Sequence, residues 1–167
     1  MVTAIKGNDT STFGGDVDVT GNVITDAPAF RAYPSSTQAI PTVTFTKMVL
    51  NAETFDTDNC FDSSTNYRFT PTVEGYYNVN VAGYLQSLGD NDTHLVSIYK
   101  NGTEYTRGTQ IQHGGSADSV CVATALVYCN GTTDYIEFYQ WHSFGSNRTM
   151  LAQSNTSSAS AHLARAV

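Results

Sequence analysis

From Tyr77 to Leu85 the chain alternates without a break, and that alternation constrains the fold more than any other feature. Tyr77, Val79, Val81, Gly83 and Leu85 fall on one side, and Asn78, Asn80, Ala82, Tyr84 and Gln86 on the other. A period of two marks a half-buried strand, because successive Cβ atoms point to opposite faces of a sheet. The approach to it, RFTPTVEGYY, reads as strand, tight turn, strand. Phe69 ends one strand, Pro71 presets φ for the bend, and Gly75 occupies a place that a Cβ would oppose.

The remaining chain repeats the pattern. Strands are expected at 29–33, 43–50, 66–70, 76–88, 94–100, 119–129, 134–142 and 159–166. Asn101-Gly102 and Asn130-Gly131 are hairpin signals, since a type I′ turn needs φ > 0 at both central residues. No segment has a 3.6-residue period. About eight strands at this spacing predict an all-β sandwich of the jelly-roll type. Low charge, at 14%, with abundant Thr and Tyr agrees with strands rather than helices.

Two strands carry more than alternation. In 119–129 one face is Val120, Val122, Thr124, Leu126 and Tyr128, and the other is Cys121, Ala123, Ala125, Val127 and Cys129. Both are apolar, so each face needs a cover, from the opposite sheet or from another subunit. The small residues Ala123 and Ala125 would permit close approach of a second chain, and with Tyr77 they are the expected assembly residues of the head. Segment 134–142 carries aromatics on both faces.

Residues 1–27 differ. Val17, Val19 and Val23 lie among Asp, Thr and Gly in TFGGDVDVTGNV, too little to build a core. The expected division is an N-terminal β arm, 1–27, joining chains or docking to a particle through those valines, and a head, 28–167. At 167 residues the chain suits one domain, with roughly 8,000 Å² of folded surface against roughly 26,000 Å² unfolded.

The net charge of −7 argues against nucleic acid as the main partner and against adsorption to anionic lipid. No apolar run reaches the ~20 residues of a membrane helix, and the first residues lack the apolar stretch of a secretory leader. Membrane insertion is not expected. The cysteines, Cys60, Cys121 and Cys129, have no metal-site spacing. Cys121 and Cys129 would lie roughly 26 Å apart along one strand, so they are expected as buried free thiols.

The search for chemistry yields no catalytic residue and no cofactor. His94, His113, His142 and His162 stand outside any zinc-protease or elbow-serine context. Asp90 and Asp92, in GDND, are weak calcium candidates, because the loop lacks EF-hand spacing and turn formation explains it better. The polar stretch 110–118 is the expected exposed binding loop, through Gln112, His113 and Asp118. Tyr84, Tyr99, Tyr105, Tyr139 and Trp141 could line an assembly seam or a glycan-binding surface.

The opening stretch also resembles the signature of the complement C1q and tumour-necrosis-factor-like domain. Phe69, Gly75 and Tyr77 stand at its spacing, and Asp56 and Phe61 match upstream with one extra residue before Phe69. Leu50 stands where the signature has Phe, and Val79 and Val81 replace its last aromatics. The resemblance covers about 28–167. It implies a ten-stranded jelly roll that assembles as a homotrimer, binds partners through exposed loops and does no chemistry. The wording of the chain further resembles C1q-like modules of tailed-bacteriophage fibres and other virion appendages. It implies a virion surface protein made in the host cytoplasm: a trimeric head on a short fibre or spike, attached to other virion proteins by its arm. Its ligand would be a host-surface glycan or protein. The alternatives are a capsid decoration protein at threefold positions and a secreted C1q-like lectin.

Overall fold

The computed structural model describes residues 27–167, so Val17, Val19, Val23 and nearly all of the expected arm lie outside the described residues. Thirteen strands follow one another in chain order, and no helix occurs among the described residues. They are β1 (Ala29–Tyr33), β2 (Gln38–Ile40), β3 (Thr46–Lys47), β4 (Ala52–Asp56), β5 (Phe61–Asp62), β6 (Arg68–Phe69) and β7 (Glu74–Leu88). Then come β8 (Thr93–Lys100), β9 (Thr103–Gln112), β10 (Ala117–Asn130), β11 (Ile136–His142), β12 (Arg148–Met150) and β13 (Ser158–Ala166).

Two antiparallel sheets face each other. The first has the order β10-β7-β13-β1-β4. The second has the order β5-β6-β11-β8-β9, with β3 added beside β11. A short β12-β2 pair stands apart. Consecutive strands repeatedly change sheet, as a jelly roll requires. Between the sheets, Phe30 stacks on Phe61 and Phe69 at centroid distances of 4.5 and 4.7 Å, and Tyr77 meets Phe69 edge-on. The Tyr77 hydroxyl donates to the Val73 carbonyl at 2.7 Å, so the buried ring keeps its polar tip satisfied. Each fully buried aromatic of this kind contributes about 1.5–3 kcal/mol of transfer free energy.

The long strands lie where the alternation places them, and the differences have local causes. The expected strand at 43–50 shortens to Thr46–Lys47. Val43 takes φ 51° while its N–H donates to His142 O, and the Val49 N–H is taken by the Gln38 side chain. β4 and β9 lie outside the strands the alternation predicts, because both are largely exposed and one polar face hides the period. Asn101-Gly102 does form the β8–β9 hairpin, with φ 52° and 77°. Asn130-Gly131 does not form a hairpin, because β10 and β11 belong to different sheets. There the Asn130 side-chain oxygen accepts the N–H groups of Thr132, Thr133 and Asp134 and shapes a crossover loop. Gly75 is required by space rather than by φ, since a Cβ there would lie 2.3 Å from Arg165 O on β13.

Candidate functional site

β10 and β7 pair over almost their whole length, with Val122 opposite Ala82, Thr124 opposite Asn80 and Leu126 opposite Asn78. β13 continues each row, with Ser158 opposite Ala82 and Ser160 opposite Asn80. The face pointing away from the core therefore has two parts. An apolar column on β10 leaves Val120 43%, Val122 52% and Leu126 57% exposed, and Tyr76 is 41% exposed beside it. The centre is uncharged and polar, with the Thr124 hydroxyl donating to Asn80 Oδ1 at 2.8 Å. A shallow groove of about 570 Å³ runs between Val122, Thr124, Asn80, Ser158 and Ser160.

This reverses the expected orientation of β10. Tyr77 is 0% exposed and Ala123 6%, so both belong to the core of one chain and cannot form the surface where chains meet. Ala125 is half-buried against the same core. The small residues do permit a close approach, but the approaching backbone is β9 of the same chain. Gly108 sits so near that a Cβ on it would lie 2.2 Å from Val122 O and 2.5 Å from Ala123 Cβ.

The expected binding loop divides. Asp118 is occupied: its Oδ2 accepts the Tyr84 hydroxyl at 2.6 Å and its Oδ1 the Ser87 N–H at 2.9 Å. Those two bonds hold its carboxyl below the usual range, while burial and the Asp118 contact push the Tyr84 phenol up to about 12. Asp118 is therefore a structural residue of the β7–β10 end. Gln112 is exposed at the end of β9, opposite Thr93, and His113 exchanges backbone hydrogen bonds with Asn91 and Asp92. Asp92 Oδ2 accepts the Gly89 N–H, and Asp90 accepts from the Asn91 amide. Among the described residues no three His, Cys, Asp or Glu side chains converge, at Asp90 and Asp92 or elsewhere.

Sequence reasoning missed one polar cluster. His94 Nδ1 is hydrogen-bonded to Ser119 Oγ at 2.9 Å, and the Cys121 thiol donates to His94 O at 3.3 Å. A serine–histidine pair suggests an activated nucleophile, but His94 is 0% exposed and Ser119 3%, so no substrate reaches them. Burial pushes the His94 imidazole down to about 4, with the nearby His142 and His113 acting in the same direction. The pair instead links β8 to β10 across the sandwich. All three cysteines are free and buried, and burial raises the Cys121 and Cys129 thiols to about 11, which leaves them unreactive.

No protein-family model matches the sequence, and no curated protein matches it. Solved structures do. The globular domain of zebrafish complement 1qA superposes with a TM-score of 0.63 at 15% identity, covering 84% of this chain and 99% of that one. Murine APRIL, at pH 5.0, superposes with a TM-score of 0.61 at 9% identity, covering 82% and 98%. The fold is a C1q/TNF-like jelly roll. The PRD1 vertex protein P5 shares this C1q/TNF-like architecture, with a TM-score of 0.53 at 13% identity over 86% of this chain and 100% of that one.

Proposed function

We propose that the protein is a non-enzymatic virion surface protein whose C1q-like head assembles as a homotrimer through the outer face of the β10-β7-β13-β1-β4 sheet. The observation that carries this reading is the apolar column on β10, with Val120, Val122 and Leu126 left between 43% and 57% exposed in the single chain. An exposed apolar column, interrupted by Thr124 alone, suits an association surface. Asn80, Ser158 and Ser160 are themselves uncharged, and Arg31, opposite Ser160 on β1, already donates to Thr54 Oγ1 and Ser154 O. Three heads on one rigid body convert weak single-site binding to a repetitive host surface into avidity. Residues 1–27 would dock the head to the particle.

Similarity to the PRD1 vertex protein P5 favours a second reading, decoration of the capsid rather than a tail fibre. Copy number separates the two, because decoration needs many copies per particle and a fibre needs few. The first test of the shared reading is solution mass by light scattering. A mass of three times 18.0 kDa supports it, and a clean monomer overturns it. Deleting residues 1–27 is expected to release the head, still folded, from the particle.

A further inference from the structure

The opposite face of the sandwich holds a second, aromatic depression. Lys47 on β3 lies opposite Tyr139 on β11, so Phe45 falls next to Trp141, at a centroid distance of 6.4 Å. Phe45 also meets Tyr99 at 6.1 Å, and Tyr99 stacks on Tyr139 at 4.1 Å. The result is a continuous aromatic strip on the outside of the second sheet. At its end Phe45, Thr93, Leu95, Arg107, Gln110 and Trp141 border a shallow depression of about 320 Å³. Leu95 forms the closed floor, while the Phe45 and Trp141 rings remain half-buried.

The charges that border it are already committed. Arg107 donates through Nε and Nη2 to Glu104 at 3.0 and 2.8 Å, and Ser97 Oγ donates to the same carboxylate at 2.7 Å. Lys47 is paired with Glu137. Arg107 also lies over the Phe45 ring, 5.4 Å from its centroid. What remains to a ligand is the half-buried Trp141 ring beside the Arg107-covered Phe45, one carboxamide and one hydroxyl.

We propose that this cavity binds a neutral saccharide. The volume lies in the range of small-ligand sites. Aromatic faces are electron-rich and attract the polarised C–H groups on the flat side of a pyranose ring. The Gln110 amide and the Thr93 hydroxyl each both donate and accept, which is what a sugar hydroxyl requires. A polyproline peptide also fits aromatic grooves, but it brings carbonyl acceptors alone and would leave the Gln110 and Thr93 oxygens unpaired. An anionic sugar would find Arg107 neutralised by Glu104. The depression opens on the outer face of the second sheet and the proposed association face is the outer face of the first; the two come nearest on β9, where Gly108 and Thr109 border the groove and Arg107 and Gln110 the depression. This inference rests on reading the protein as a binding head and supplies its ligand class.

Trp141 is the single tryptophan of the chain, so intrinsic tryptophan fluorescence reports on this cavity alone. The intact protein is titrated with galactose, glucose, mannose and N-acetylglucosamine, and in parallel with N-acetylneuraminic acid and a hexaproline peptide. The expected result is a saturable emission change with at least one neutral sugar, at a Kd on the order of millimolar. Gln110→Ala and Thr93→Val should each weaken that binding by about fivefold or more, with the unliganded spectrum unchanged. Three results overturn the proposal: no saturable change with any of the four neutral sugars, tighter binding of the anionic sugar or the peptide, or wild-type affinity in both variants. Solution mass is read separately, so a failed titration leaves the trimer standing, and a monomer leaves the titration valid.

Discussion

The two outer faces of this sandwich manage their surfaces in opposite ways. The β10 face exposes Val120, Val122 and Leu126, and the charge in its central rows, Arg31 opposite Ser160, is committed to Thr54 Oγ1 and Ser154 O. The β11-β8 face covers its sheet with Tyr139, Tyr99, Trp141 and Phe45, and ties its charges into the Arg107–Glu104 and Lys47–Glu137 pairs. The first face is incomplete until something apolar covers it. The second has its aromatics packed on one another within one chain and keeps a shallow depression beside Trp141. Aliphatic area without charge suits broad contact between protein surfaces, while aromatic walls with a few hydrogen-bonding groups suit a small ligand.

The comparison breaks most sharply at the assembly face. Leu126→Asp or Val122→Asp should reduce the solution mass from three chains to one, because each would bury an unpaired carboxylate at a cost of several kcal/mol. Gln110→Asp, on the other face, should leave the mass unchanged. If all three variants stay trimeric, the β10 face is not where the chains meet.

The seam between the faces is next. Gly108→Val should destabilise the fold by about 3 kcal/mol or more in chemical denaturation, since backbone atoms of Val122 and Ala123 occupy the space of the new side chain. A pH titration probes the same seam through His94. Its imidazole is held near 4 in the folded chain against 6.5 for the free group. The folded state therefore binds fewer protons than the unfolded state between those values. The His94 contribution is fully present above pH 6.5 and is lost as the pH falls through about 4, which amounts to about 3 kcal/mol between pH 7 and pH 4. His94→Gln should flatten that part of the profile, and an unchanged acid slope would show that other groups set it.

The smallest effect sharpens the second face. Glu104→Gln removes an exposed ion pair and should change stability by less than about 1 kcal/mol. It also frees Arg107, so the fluorescence titration should show N-acetylneuraminic acid gaining on the neutral sugars. No gain would mean that Arg107 does not govern the charge preference of the cavity.

Much of the scaffold is legible in the residues alone. The alternation from Tyr77, the Asn101-Gly102 turn and the doubly apolar segment around Val122 each predict what the fold contains. β9 escapes because Thr, Arg, Gly and Gln mask its period, although a hairpin at Asn101-Gly102 demands a returning strand. The sites were less legible. Trp141 and Tyr99 could be noticed as aromatics, but not their meeting with Phe45, which only the placement of β3 beside β11 brings about. Ser119 and His94 likewise come together only when the sheets close.

Composition and period two by themselves determined that this chain is all-β, and that the strand through Val122 has two apolar faces in need of cover. Which face became core was decided by the tertiary structure. A period separates the two sides of a strand but does not say which side another sheet will pack on, because packing depends on a layer ~10 Å away and remote in sequence. Here β9 passes so close at Gly108 that only Ala123 and its small neighbours fit beneath it, and Val122 and Leu126 are therefore turned outward.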